Sequence, residues 1–176
     1  NAPVAGFDLT FSVPKSVSTL WAVADGGTQA PIAQAHHAAI RDMIALLERD
    51  VAMTRVGAKG ARGAVAQVDV RGVIATAYDH YDSRAADPQL HTHIVVANRV
   101  QAAHDGKWRT LDSRAIHAAV TGLSEHYNAV LSDHLTQILG VGWEARERGA
   151  GRSTAWEIVG VPKELMDEFS SRTRDI

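Results

Sequence analysis

The run Asp87-Pro88-Gln89-Leu90-His91-Thr92-His93-Ile94-Val95-Val96-Ala97-Asn98 opens on a turn dipeptide, alternates, and then becomes continuously apolar. That pattern predicts a strand entering a core. Side chains on a strand repeat every second residue, so His91 and His93 share one face. Two imidazoles on a rigid strand make most of a metal site, and His80, eleven residues before His91, is the candidate third ligand.

Working outward, Val65 to Tyr78 is strand-like, His80 falls at its end, and Asp82 to Pro88 forms a polar connection. If the two runs pair as antiparallel neighbours, that connection brings His80 beside His91 and His93. Downstream, Asp105-Gly106 is a hairpin signal ahead of Lys107-Trp108-Arg109-Thr110-Leu111. Upstream, Phe7-Asp8-Leu9-Thr10-Phe11 alternates as a half-buried strand, with Asp8 and Thr10 opposite the three apolar residues. Ser12 is placed to cap a helix over about Val13 to Ala24, which Asp25-Gly26-Gly27 would end. A second helix is expected from near Pro31, with Ile32, His36, Ile40, Ile44, Leu47 and Val51 on one stripe. Residues 54–64 read as a Gly-rich basic loop. Ala115 to Leu139 is the longest expected helix, with Ile116, Val120, Leu123, Tyr127, Val130 or Leu131, Leu135 and Ile138 on its stripe and Gly140 closing it. Two short strands, Trp143–Arg146 and Thr154–Val159, and a helix from Pro162 to Thr173 complete the chain. Hairpins are prominent and strands do not strictly alternate with helices, so the expected class is α+β with a mainly antiparallel central sheet flanked by helices.

The 176 residues are enough for one domain with a real core, and 45% hydrophobic content is that of a globular protein. No apolar run approaches the ~20 residues of a membrane span, and no signal peptide is visible. With no cysteine there is no disulfide, zinc-thiolate site or Cys nucleophile. A cytoplasmic setting fits. The net charge of −2 leaves no global basic footprint, so a nucleic-acid partner would have to be held by a local patch.

A three-histidine set without another protein ligand leaves coordination positions open, as catalytic sites do. Neutral imidazoles suit Zn, Ni, Cu or Fe better than Mg. The H-x-H pattern by itself more often marks surface or satisfied core histidines, and it is His80 that brings the metal reading level with that one. Asp8, Asp79, Asp82 and Asp87 are candidates to orient an imidazole through its second nitrogen. Asp8 stands out, because a carboxylate in an otherwise apolar strand needs a partner. His36, His37, His104, His117, His126 and His134 are expected to be structural or solvent-facing, without partners.

Phe7-Asp8-Leu9-Thr10-Phe11-Ser12-Val13-Pro14-Lys15-Ser16-Val17-Ser18, His80, Ser83-Arg84 and Asp87-Pro88-Gln89-Leu90-His91-Thr92-His93, in that order, resemble the MobF family of conjugative relaxases, of the TrwC and TraI type. The Asp105–Arg109 hairpin and the helix bearing Tyr127-Asn128-Ala129 also sit where that family has theirs. The resemblance spans nearly the whole chain. It implies a palm-like HUH endonuclease fold that nicks and rejoins one DNA strand at a transfer origin, with a tyrosine joined covalently to the 5′ end. It implies His80, His91 and His93 as ligands of one divalent metal, Mg or Mn in the cell, whereas ligand chemistry favours Zn or Ni. Asp8 is then the aspartate that orients a histidine or helps deprotonate the tyrosine. The implied partners are single-stranded DNA of the origin, relaxosome accessory proteins, and a helicase region after the C-terminus.

One departure carries weight. The family's nucleophilic tyrosines lie ahead of the F-D-L-T-F motif, and this chain opens just before it without a Met. The expectation is a single relaxase domain over 1–176 that lacks its tyrosine-bearing segment and does not nick. Among its own tyrosines, Tyr81 should face away from His80 and Tyr127 should lie in the core. Ser12-Val13-Pro14-Lys15 matches an S-x-x-K motif without its K-T-G companion, and Gly57-Ala58-Lys59-Gly60 matches the G-x-x-G of KH domains without their helix order. Lys15, Arg55, Lys59, Arg62, Arg84, Lys107 and Arg109 are the candidate DNA contacts, with Arg71 and Arg99 beside them and Trp108 available to stack on a base. Two other readings stay open on the residues alone: a rolling-circle replication initiator, and a non-catalytic DNA-binding module with a structural metal.

Overall fold

A computed structural model describes residues 4–57, 65–147 and 154–171. Its organising unit is a three-stranded antiparallel sheet in which β5 (Pro88–Ala97) lies between β1 (Gly6–Ser12) and β4 (Ala75–Asp82). The H-x-H strand is therefore central, flanked on one side by the F-D-L-T-F strand and on the other by the strand bearing His80. Pro88 is tolerated as the strand's first residue, where no ladder bond is lost. The Ser83–Asp87 turn ties the β4–β5 hairpin through Ser83 N–H to Asp87 O at 2.8 Å. Two amides, Ala85 N–H and Asp87 N–H, donate to Ser83 Oγ within it.

One face of this sheet is dry. Phe11, Leu90, Ile94 and Val96 pack into a core with Ile32, Ala35, Ala39, Ile40 and Met43 of α2 (Gly26–Leu46) and with Tyr127, Leu131 and Leu135 of α3 (Ser113–Leu139). The other face carries the polar alternates. Among the described residues the remaining pairs are β2 (Met53–Gly57) with β3 (Val65–Asp69), β6 (Val100–Gln101) with β7 (Trp108–Arg109), and β8 (Trp143–Arg146) with β9 (Ala155–Ile158). All are antiparallel, as expected for the α+β class. Two shorter helices, α1 (Lys15–Val23) and α4 (Lys163–Glu168), and a π-helical turn over Leu47–Val51 that continues α2 complete the described elements.

Several local expectations are corrected. Ser12 is the last residue of β1 and caps nothing; α1 begins at Lys15. The cap comes from far along the chain, where the buried Glu157 carboxylate of β9 accepts from Ser16 N–H at 2.7 Å. A carboxylate at a helix N-terminus satisfies an orphan donor and complements the dipole. Asp25-Gly26-Gly27 starts α2 instead of ending α1, because Asp25 Oδ1 accepts from Thr28 N–H at 2.9 Å, and Pro31 consequently lies inside the helix. The expected basic loop begins as a strand, β2, and the candidates Lys59 and Arg62 lie outside the described residues. The single strand expected over Val65 to Tyr78 is two, broken where Gly72 takes a φ of +133° and Glu48 Oε1 accepts from Val73 N–H. A Cβ at Gly72 would also meet Glu48 Oε1 at 3.0 Å. The long helix starts two residues early, capped by Asp112 through Arg114 N–H. On its stripe Val120 and Ile138 are exposed, and Val120 lines an open groove between α3 and β1. The final helix is shorter than expected, and Thr173 lies outside the described residues.

Candidate metal centre

The polar face of the central sheet is built row by row from its register. Ser12, His91 and His80 stand abreast in one row, Thr10, His93 and Tyr78 in the next, and Asp8, Val95 and Thr76 in the third. Directly opposed residues on neighbouring strands share a face, so alternation brings the three histidines together without a loop having to hold any of them. Their ring centroids form a nearly equilateral triangle with sides of 5.1, 5.1 and 5.3 Å. One nitrogen from each ring lies within 4.8 Å of the others.

Hydrogen bonding sets which nitrogens are available. The two Asp8 oxygens sit 2.8 and 3.0 Å from His93 Nδ1, and a carboxylate only accepts, so Nδ1 carries the proton and Nε2 keeps its lone pair. Thr10 Oγ1 lies 3.2 Å from the same nitrogen. His91 Nδ1 is 2.8 Å from Gln89 O, and a carbonyl also only accepts, so His91 likewise offers Nε2. Two of the three imidazoles are therefore held in the tautomer and orientation a metal ligand needs. The donor set fits a divalent ion: neutral nitrogen donors on a partly open sheet face, with one carboxylate behind them.

Of the four candidate orienting carboxylates, Asp8 takes that role. Asp79 points to the opposite face, where it accepts from Thr92 Oγ1 at 2.6 Å and from His37 Nε2 at 3.0 Å. Burial pushes its pKa upward, but those two hydrogen bonds together with the attraction of the His37 and His36 rings outweigh it and hold the carboxyl below its ordinary value. Asp87 binds the backbone and hydroxyl of Ser171, tying the chain after α4 to the turn before β5. Asp82 sits at the exposed end of β4, past a register shift that starts after His80.

The basic candidates are scattered over different elements. Arg109 is held bidentately by Asp105, and Arg55 approaches the buried Asp112 at 3.4 Å. Lys15 donates to the carbonyls of Pro88 and Phe169, and burial lowers its pKa. Arg84, Lys107, Arg71 and Arg99 are exposed, as is Trp108.

The tyrosines separate clearly. Tyr127 is in the core, where burial raises its pKa and its hydroxyl lies 2.7 Å from His36 Nδ1. Tyr81 is on the face away from the histidines, stacked on Trp21 with centroids 5.4 Å apart. Tyr78 is half-exposed on the ligand face, beside His93. Period-two counting back from His80 would have found it. His36, expected without partners, is fully buried and bonded at both nitrogens.

A sheet presenting three converging imidazoles and a carboxylate behind one of them defines an α+β domain with a three-histidine cluster able to hold a metal ion. The TrwC relaxase family model matches residues 1–176, and the chain belongs to that family. It is 36% identical over 179 aligned positions to the multifunctional conjugation protein TraI of Escherichia coli, and 35% identical to that of strain K12. Each alignment covers 97% of this chain and 9% of the relative. Among solved structures it resembles the conjugative relaxase TrwC bound to oriT DNA in copper-bound form, with a TM-score of 0.78, 31% identity, and coverage of 97% of this chain and 53% of that one. A metal-bound TrwC–oriT complex gives 0.79 at 32% identity over 97% and 54% of the two chains. TrwC on a 27-mer comprising the recognition hairpin and cleavage site gives 0.77 at 32% identity, over 96% and 55%. The chain thus spans about half of the solved relaxase chains and under a tenth of the curated relatives.

Proposed function

We propose that this chain forms the metal-binding core of a DNA relaxase, which nicks and rejoins one strand of DNA at a transfer origin. The observation carrying the reading is the trio His80, His91 and His93 on one sheet face, with Asp8 behind His93. His91 and His93 present Nε2 lone pairs, His80 completes the set, and Asp8 retains the Nδ1 proton of His93 and fixes its ring. When bound there, a divalent ion supplies Lewis-acid polarisation of the scissile phosphodiester. Intrinsic affinity ranks Ni, Cu and Zn above Mn and Mg for such a site, and Mg or Mn is the ion the resemblance implies for the cell.

The reaction is a transesterification in which a tyrosine oxygen displaces the 3′ oxygen and takes the 5′ phosphate; its reversal reseals the strand. In this reading the attacking tyrosine is none of Tyr78, Tyr81 and Tyr127: Tyr127 is buried under the sheet, Tyr81 stacks on the face away from the histidines, and Tyr78, half-exposed beside His93, is the one the test below has to exclude. The burial of Tyr127 also disfavours a rolling-circle initiator, which needs a helix tyrosine open to DNA. The natural setting is the bacterial cytoplasm, with relaxosome proteins as partners and a helicase region in the same polypeptide. Among the described residues no helix is long and apolar enough to cross a membrane. On the DNA side, exposed Arg84 and Lys107 are the better phosphate contacts; Lys15, Arg55 and Arg109 already hold partners within the chain. Lys59 and Arg62 keep their place as basic candidates.

The test is calorimetric titration of the chelator-treated chain with Mn²⁺ and Ni²⁺. One equivalent should bind, and His91→Ala should abolish it; no binding by the wild type refutes the metal centre. With an origin oligonucleotide the chain should not form a covalent adduct. An adduct that Tyr78→Phe removes would assign the nucleophile to Tyr78 and refute its exclusion.

A further inference from the structure

Behind the ligand face runs a second polar system that takes no part in the chemistry proposed above. Tyr127 Oη lies 2.7 Å from His36 Nδ1, His36 Nε2 lies 2.8 Å from Thr92 Oγ1, and Thr92 Oγ1 lies 2.6 Å from Asp79 Oδ1. His37 Nε2 closes the far end on Asp79 Oδ2 at 3.0 Å. His36 and Thr92 are at most 1% exposed and Tyr127 is 2% exposed.

The direction of every bond follows from one fact: a carboxylate cannot donate. Thr92 must therefore donate to Asp79, so it accepts from His36 Nε2–H. His36 Nδ1 is left as an acceptor and takes the Tyr127 hydroxyl proton. Burial pushes His36 down to about 4, which keeps it neutral and its two nitrogens distinct in role. The chain has a single consistent arrangement, with each hydroxyl and imidazole along it satisfied. Such networks favour one packing over its neighbours, because any slip strands a buried donor or acceptor.

Its position gives it a task. Thr92 is the residue between His91 and His93, and it pairs in register with Asp79, the residue before His80. The Thr92–Asp79 bond thus spans β5 and β4 on the core face, directly behind the His80–His91 pair. The β4–β5 register shifts immediately beyond, between His80 and Asp82. A slip of one residue at this junction would move His80 by ~3.3 Å and turn it to the other face. His80 also has the fewest restraints of the three ligands, since among the described residues no hydrogen bond is found on its ring.

We infer that the Tyr127–His36–Thr92–Asp79 chain is a positioning device for the metal ligands, pinning the β4–β5 register so that His80 stands opposite His91. The inference rests on the metal-centre reading. Thr92 and its partners touch neither metal nor DNA; they act through the strands that carry the ligands.

Ni²⁺ affinity and thermal stability of the chelator-treated chain, measured together, test it. Thr92→Val keeps the shape and removes the hydroxyl, and it should weaken Ni²⁺ binding about tenfold, the low end for loss of an outer-shell partner. Thr92→Ser should restore it. Leu135→Ala, a core truncation on α3 outside the network, should lower the melting temperature without changing the affinity. Wild-type affinity in a folded Thr92→Val, or an equal loss in Leu135→Ala, overturns the inference and leaves the metal centre standing. No binding by the wild type overturns both. If Thr92→Val does not fold, Tyr127→Phe removes one hydroxyl at the far end of the chain and carries the same expectation, and unchanged affinity there overturns it equally.

Discussion

The buried neutral His36 makes the stability of this domain depend on pH between about 6.5 and 4. Its folded pKa is about 4 against an ordinary 6.5, chiefly because burial penalises the charged ring. Between those values the unfolded chain binds a proton that the folded chain refuses. Unfolding therefore takes up a proton there, and stability falls as pH falls from about 6.5 towards 4, levelling off below. The gap of about 2.5 pH units corresponds to a total loss of about 3 kcal/mol, at most ~1.4 kcal/mol per pH unit. That is a large part of the 5–15 kcal/mol typical of a domain. The assay is urea unfolding from pH 7.5 to 4.5 with a chelator present, for the wild type and His36→Gln. The variant starts from lower stability because its network is broken, but what matters is the slope. The difference between the two should shrink by roughly 2–3 kcal/mol on acidification. A difference that stays constant over that range would refute the burial of a neutral imidazole at position 36.

Asp8→Asn keeps an acceptor beside His93 but loses the charge, and Mn²⁺ or Ni²⁺ affinity should fall about 10- to 100-fold in calorimetry; unchanged affinity would mean that Asp8 does not tune the site. Glu157→Ala leaves Ser16 N–H without its carboxylate and should cost about 1–3 kcal/mol in urea unfolding, whereas a loss near zero would show that another group caps α1. Leu131, fully buried on α3, should cost about 2–5 kcal/mol when truncated to Ala, measured the same way.

The two halves of the candidate site differ in how they arise. The ligand face uses only the pleat: alternation within β1, β4 and β5 puts Asp8, Thr10, Tyr78, His80, His91 and His93 on one side, and pairing brings them abreast. The network behind it needs α2 and α3 docked on the dry side, since His36 and Tyr127 reach Thr92 from helices. A shallow, open histidine face backed by a buried polar network is the arrangement the proposed function calls for, since that function has to admit a polymeric substrate. Rigidity comes from below and leaves the upper side accessible.

What the residues alone determined was whatever depends on short range. Period-two alternation assigned β1 and β5, the Asp-Pro turn placed His80 within reach of His91, and an acidic residue in an apolar strand singled out Asp8. The three apolar positions of F-D-L-T-F and the stripe Leu123, Tyr127, Leu131 and Leu135 were legible for the same reason. Short-range signals failed where two of them competed. Ser12 is a good cap and also an acceptable strand end, and Pro31 is a good helix start and also tolerable inside one. There the outcome turned on Glu157 and Asp25, and Glu157 lies 141 residues from the helix it caps. Likewise the partners of His36 are 56 and 91 residues away, so no local pattern could name them. Hydrogen bonds between distant segments have no sequence period, because they exist only after apolar burial has brought the elements together. That is why the clustering of the three histidines could be read from the chain, while the hydrogen-bonded chain behind them was decided by the tertiary structure.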